Sequence, residues 1–118
     1  MVVSDSMVIS EISDTEISRL KRLSLNGTKI SQLLLELPIH LVDFVEEETL
    51  EVSFGSYIED SEDYRFLARG TIFQIDIDSD PSKIIGSIGG LRFELVVNKD
   101  IIEHEKILDA DEIYLSLK

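Results

Sequence analysis

The chain has 118 residues, no cysteine and a formal net charge of −13 at pH 7. That length fits one domain, large enough for a hydrophobic core without staples. The lack of cysteine excludes a disulfide framework, a thiolate zinc site and a cysteine nucleophile, and the charge argues against gripping nucleic acid by its phosphates. No apolar run approaches the ~20 residues of a membrane-spanning helix. The N-terminal stretch MVVSDSMVIS carries an acid where a secretory leader would carry basic residues. The expected location is cytoplasmic, and Asn26-Gly27-Thr28 reads as a turn rather than a glycosylation site.

Residues 17–35 hold Arg19, Lys21, Arg22 and Lys29 and no acid. They read as a strand at an exposed edge, where charge protects against aggregation. Leu33, Leu35, Leu37, Ile39 and Leu41 then alternate with smaller or more polar residues. Leu50, Val52 and Phe54 alternate with Glu51 and Ser53. Period two with one apolar face is the signature of half-buried antiparallel strands. Residues 43–64 carry nine acids and no base, with residues 56–63 forming an acidic loop.

Tyr64, Phe66 and Ala68 fall on even numbers, whereas Phe73, Ile75 and Ile77 fall on odd ones. One straight strand cannot bury both sets, so a bulge or bend is expected near Arg69-Gly70. After the turn composition Ser79-Asp80-Pro81-Ser82 comes IGSIGGLRFEL, residues 85–95. With Gly89-Gly90 as a two-residue hairpin turn, Ile88 faces Leu91, Gly86 faces Phe93 and Ile84 faces Leu95. Phe93 then covers the gap left by Gly86. These glycines serve a tight hairpin: there is no GxGxxG, and no helix follows to meet a phosphate. Leu91, Phe93, Leu95 and Val97 form the returning strand, Asn98-Lys99-Asp100 a turn, 101–107 a short helix candidate, and Ile113, Leu115 and Leu117 a closing strand. Short strands at this spacing make a sandwich or a barrel.

Motifs for chemistry are weak. Asp76-Ile77-Asp78-Ser79-Asp80 begins like a calcium loop, but Pro81 and Ser87 stand where glycine and glutamate belong. His40 and His104 give no two-histidine metal spacing, and no serine sits in G-x-S-x-G. The acidic run offers carboxylates for acid–base work, yet such a run is usually hydrated. Tyr57, Tyr64, Phe66 and Phe73 raise the question of base stacking. They adjoin the acidic loop, so core packing is the better reading.

Three stretches resemble a known family. The run Asp63-Tyr64 through Gly70-Thr71-Ile72-Phe73, the hairpin Ser87-Ile88-Gly89-Gly90-Leu91-Arg92-Phe93-Glu94-Leu95 and the closing 112–118 resemble subunit 8 of cellular RNA polymerases. Val8 to Ile12 looks like that family's opening strand, and Leu33 with Glu36-Leu37-Pro38-Ile39 like its second. The resemblance implies an all-β fold: a single antiparallel Greek-key barrel of the OB type, with at most one short helix. It implies a non-catalytic structural or assembly subunit of DNA-directed RNA polymerase, docked on the largest subunit near the pore, without cofactor, metal or direct nucleic-acid contact. The short loop about Gly55–Tyr64 points to the archaeal form. Tyr64, Arg69, Gly70, Thr71, Ser87, Gly89, Gly90, Leu91 and Arg92 are the matching positions, either as partner interface or as residues that define the barrel. Two alternatives stay open: a free-standing barrel that binds single-stranded nucleic acid, and a small hydrolase or metal-binding domain using the acidic loop.

Overall fold

The computed structural model describes residues 2–55, 64–76, 81–98 and 112–118. Eight strands form a closed antiparallel barrel: β1 (Val2–Asp14), β2 (Leu20–Asn26), β3 (Ile30–Pro38), β4 (Thr49–Gly55), β5 (Phe66–Asp76), β6 (Ser82–Ile88), β7 (Leu91–Val97) and β8 (Glu112–Leu117). The order around the barrel is β1-β2-β3-β7-β6-β5-β8-β4, and β4 pairs back with β1. Read from β4, it is 4-1-2-3 followed by 7-6-5-8. Each half is therefore a Greek key, in which the fourth strand returns beside the first. The halves meet where β3 pairs β7 and where β4 pairs β8. The fold class is the expected one: an all-β, small, OB-like antiparallel barrel. Its one helical turn among the described residues is the 3₁₀ turn Ile39–Leu41.

Alternation fills the inside. Leu33, Leu35 and Leu37 of β3, Val52 and Phe54 of β4, Leu95 and Val97 of β7 and Leu115 and Leu117 of β8 are all buried. Eight strands enclose a space just wide enough for such side chains. The hairpin adopts the register expected from its glycines, Ile88 with Leu91, Gly86 with Phe93 and Ile84 with Leu95. Gly89 and Gly90 have φ of +55° and +86°, the positive values that a two-residue turn of this hand needs. A Cβ on Gly86 would lie 2.6 Å from Phe93 Cζ and 2.4 Å from the Thr71 carbonyl oxygen. A Cβ on Gly70 would lie 3.1 Å from Phe93 Cε1. The Phe93 ring thus lies over two glycines on neighbouring strands.

Several expectations shift. The bend in β5 falls later than Arg69-Gly70: pairing with β6 slips between Ile72 and Gln74, so the extra residue is Phe73. Gly70 stays inward and Phe73 turns out, 63% exposed. Core packing therefore holds for Phe66, which packs against the core, and fails for Phe73. The basic strand is not an edge, because β2 pairs with β1 on one side and β3 on the other. Its charges decorate the wall of a closed sheet, and Arg19 precedes it at φ +69°. The alternation drawn through Leu41 ends at Pro38, beyond which Ile39 and Leu41 are exposed in the 3₁₀ turn. The acidic loop 56–63, the helix candidate 101–107, His104, and the calcium-like stretch after Asp76 lie outside the described residues.

Candidate functional site

The registers sort the connections to two ends of the barrel. One end holds the β1–β2 connection, the segment 39–48 between β3 and β4, Tyr64-Arg65 at the start of β5, the Gly89-Gly90 turn and Lys118. Segment 39–48 must cross this end, because β3 and β4 lie on either side of β1 and β2. Its course is pinned by backbone bonds. Ile39 N donates to Arg19 O (2.7 Å), Glu47 N to Ile9 O (2.8 Å) and Ile9 N to Glu48 O (2.9 Å). The pinning falls at Ile9 because it is the next residue of β1 beyond the Val8–Thr49 pair with β4, and Glu47 and Glu48 both bond to it there, with Glu47 at φ +73°. Phe44 points inward and is buried.

Arg65 locks that segment from the other side. Its guanidinium donates to Glu48 Oε2 and to the Asp43 carbonyl and lies 4.5 Å from the centroid of the Phe44 ring. Glu48 Oε1 accepts from Val45 N at 3.1 Å. The Arg65 hydrogen bond holds the Glu48 carboxyl below the usual range, against a smaller upward push from burial. Around this lock the surface sets exposed apolar side chains among the exposed acids Asp43, Glu46 and Glu47. Ile17, Ile39, Leu41 and Val45 are exposed, and Ile17 and Ile39 line one hollow of about 350 Å³ together with Leu20 and six polar or charged residues, Asp14, Glu16, Arg19 and Lys21 among them.

The opposite end has a different device. Asp5 occupies an inward position of β1, between buried Val3 and Met7, where the β2–β3 turn passes. Its Oδ2 accepts from the N–H groups of Thr28 (2.7 Å), Lys29 (2.8 Å) and Ile30 (3.1 Å), and its Oδ1 from Thr28 Oγ1 (3.1 Å). Burial pushes the Asp5 carboxyl up, but these four donors together outweigh it and hold the group below its ordinary value.

The residues singled out from the sequence divide into three groups. Gly70 is buried beneath Phe93, where a Cβ would meet the Ser87 carbonyl and the Ile88 side chain. Tyr64, Gly89, Gly90 and half-buried Leu91 gather at the end crossed by segment 39–48, with the Lys118 ammonium 5.8 Å from the centre of the Tyr64 ring. Thr71, Ser87 and Arg92 form one cross-strand row on the outer wall, and exposed Arg69 lies on the same wall opposite Tyr114. Arg92 donates to Glu94 (2.5 Å) and, with Arg22, Leu34 and Glu36, lines a hollow of about 260 Å³. Exposed pairs of this kind contribute at most about 1 kcal/mol.

Reading the sequence missed Asp5, Glu48, Arg65 and the exposed Ile17 and Val45. The only signal was negative: Ile17 in DTEIS and Val45 in DFVEEE are apolar residues with no period partner. Among the described residues no group of three His, Cys, Asp or Glu is placed to hold a metal ion, and no helix is long and apolar enough to cross a membrane. Ser116 is a lone oddity. It is fully buried although it points to the outer wall, and its Oγ has no hydrogen-bond partner.

No family model matches the chain, and no curated protein matches it. Thirty-eight solved chains do match in structure. One of them is the cytoplasmic molybdate-binding protein ModG with molybdate bound: 11% identity, TM-score 0.39, covering 98% of this chain and 89% of that one. Similarity at that level carries no argument about function.

Proposed function

We propose that this chain is a non-catalytic structural subunit of an archaeal DNA-directed RNA polymerase, docked on the largest subunit. The observation that carries the reading is the convergence of the three stretches that bear the resemblance. Phe66 to Thr71 pairs with 112–117, and Thr71 pairs with Ser87 of the glycine hairpin. Phe93 of that hairpin covers both Gly70 and Gly86. Motifs far apart in the chain thus form one packed unit, as residues that specify a common barrel would. The charge of −13 suits a module that binds protein rather than phosphate. The test is a tagged pull-down from cells that encode the chain, with every co-purifying protein identified by mass spectrometry. Large polymerase subunits in near-equal amounts support the reading; their absence ends it.

Exposed Phe73 favours a second reading, a free-standing barrel that stacks single-stranded nucleic acid on its wall. A labelled single-stranded oligonucleotide, followed by anisotropy at low salt, decides it. Binding that weakens steeply with salt would support this alternative; no binding would dismiss it.

A further inference from the structure

The barrel end crossed by segment 39–48 is built unlike the rest of the surface. Of the large apolar side chains exposed among the described residues, Ile17, Ile39, Leu41 and Val45 all lie on the two segments that cover this end. Val8, Leu67 and Phe73 are scattered on the walls. Scattered apolar residues need no explanation, but grouped ones call for a partner. The grouping is not a by-product of a loose loop. The Arg19–Ile39 bond ties the two segments to each other, and the Ile9–Glu47 bond and Arg65 tie segment 39–48 to the barrel. Each also holds one non-glycine residue at positive φ, Arg19 at +69° and Glu47 at +73°. Such strain persists only where surrounding contacts enforce it, and a surface held this way loses little freedom on binding.

Charge defines the occupant. Segment 39–48 carries Asp43, Glu46, Glu47 and Glu48 and no lysine or arginine, and the β1–β2 connection adds Asp14 and Glu16. Lys21 is paired with Asp14, and Arg65 with Glu48. Glu16, Asp43, Glu46 and Glu47 carry no ion pair among the described residues, leaving Arg19 as their main counterweight. This end is therefore acidic, with exposed apolar side chains set among the acids. A second copy of the chain would bring the same acids and be repelled. Phosphate would be repelled too.

We infer that this end of the barrel is the docking face of the chain and that it takes an apolar side chain of a partner protein, in the hollow between Ile17 and Ile39, flanked by lysine or arginine. The inference rests on the proposed polymerase reading for the identity of that partner, the largest subunit. It places the contact at the barrel end, not on the Thr71–Ser87–Arg92 wall.

The test is reconstitution of the polymerase from recombinant subunits with this chain left out, followed by adding it back. The additions are wild type, Ile17→Glu, Val45→Glu, the double variant, and Arg92→Glu as a wall control. Ile17 and Val45 are 65% and 66% exposed, so their variants fold; melting within about 2 °C of wild type verifies this. A second double variant, Ile17→Ala with Val45→Ala, removes apolar surface without adding charge. The expected result is stoichiometric wild type and Arg92→Glu, at least about tenfold weaker retention of the double glutamate variant, and wild-type association that slows as salt rises. If wild type and both double variants are retained within about twofold of each other, the docking face is overturned while the polymerase reading stands. If wild type itself does not join the enzyme, the polymerase reading falls and this docking face falls with it.

Discussion

Gly86→Ala should destabilise the protein, although alanine normally suits a strand better than glycine. The added Cβ would sit 2.4 Å from the Thr71 carbonyl oxygen and 2.6 and 2.7 Å from two atoms of the Phe93 ring. The first neighbour is backbone of the paired strand β5. The second is a ring 1% exposed that already covers Gly70. Neither can retreat freely, and overpacking of this kind costs about 1–3 kcal/mol. Reduced freedom of the unfolded chain returns about 0.4–1 kcal/mol. The steric cost prevails, leaving a net loss of about 1–2 kcal/mol. At roughly 4 °C per kcal/mol for a domain of this size, the melting temperature falls by about 4–8 °C. Calorimetry or circular dichroism measures it. A double-mutant cycle with Phe93→Leu isolates the contact. The smaller side chain relieves part of the clash, so the two losses should fall short of additive by at least about 0.5 kcal/mol. Gly86→Ala melting at or above the wild-type temperature would refute the packing argument, and strict additivity would remove Phe93 from it.

Gly90→Val meets open space but must hold φ near +86°, so it should cost about 1–2 kcal/mol through the backbone alone, whereas Gly89→Asn should be nearly neutral by melting; unchanged melting of Gly90→Val would sink the turn. Asp5→Asn should lose about 1–3 kcal/mol at pH 7. Because Asp5 is held below its ordinary value, its stabilisation is complete above the ordinary aspartate range and is lost as pH falls through its own lower value. The melting gap between wild type and Asp5→Asn should therefore narrow in acid, and a gap independent of pH would contradict the four-donor clamp. Arg65→Met should loosen segment 39–48 and speed amide exchange at Ile9 and Glu47 by about three- to tenfold, with little change in global melting; unchanged exchange would show that the backbone bonds alone hold the segment. Ser116→Ala removes a buried hydroxyl without a partner and should raise stability by up to about 1 kcal/mol; a fall in melting temperature would mean that the hydroxyl is satisfied.

The sequence by itself determined the parts whose cause is local. Period-two alternation marks Leu50 to Phe54, Leu91 to Val97 and Ile113 to Leu117 as strands, because successive side chains of any strand point to opposite faces. The Gly89-Gly90 turn and its whole register were legible because two adjacent glycines between apolar runs leave few other backbone solutions. The long β1 was half hidden: Asp5 takes an inward position, and a polar residue there breaks the pattern that would reveal the strand. What required the tertiary structure was everything set by a second strand. A bulge belongs to a pairing, so the phase change in β5 could be foreseen while its place at Phe73 could not. Whether β2 is an edge depends on what lies on both sides of it, and β1 and β3 both pair with it. Arg65 reaches Asp43 and Glu48 only because the Greek-key connection from β3 to β4 carries that segment over the barrel end, and Asp5 reaches Thr28 because the β2–β3 hairpin turn passes over β1. The exposure of Ile17, Ile39 and Val45 follows from the same topology, since burial is decided by what else passes nearby, and no residue encodes its neighbours alone.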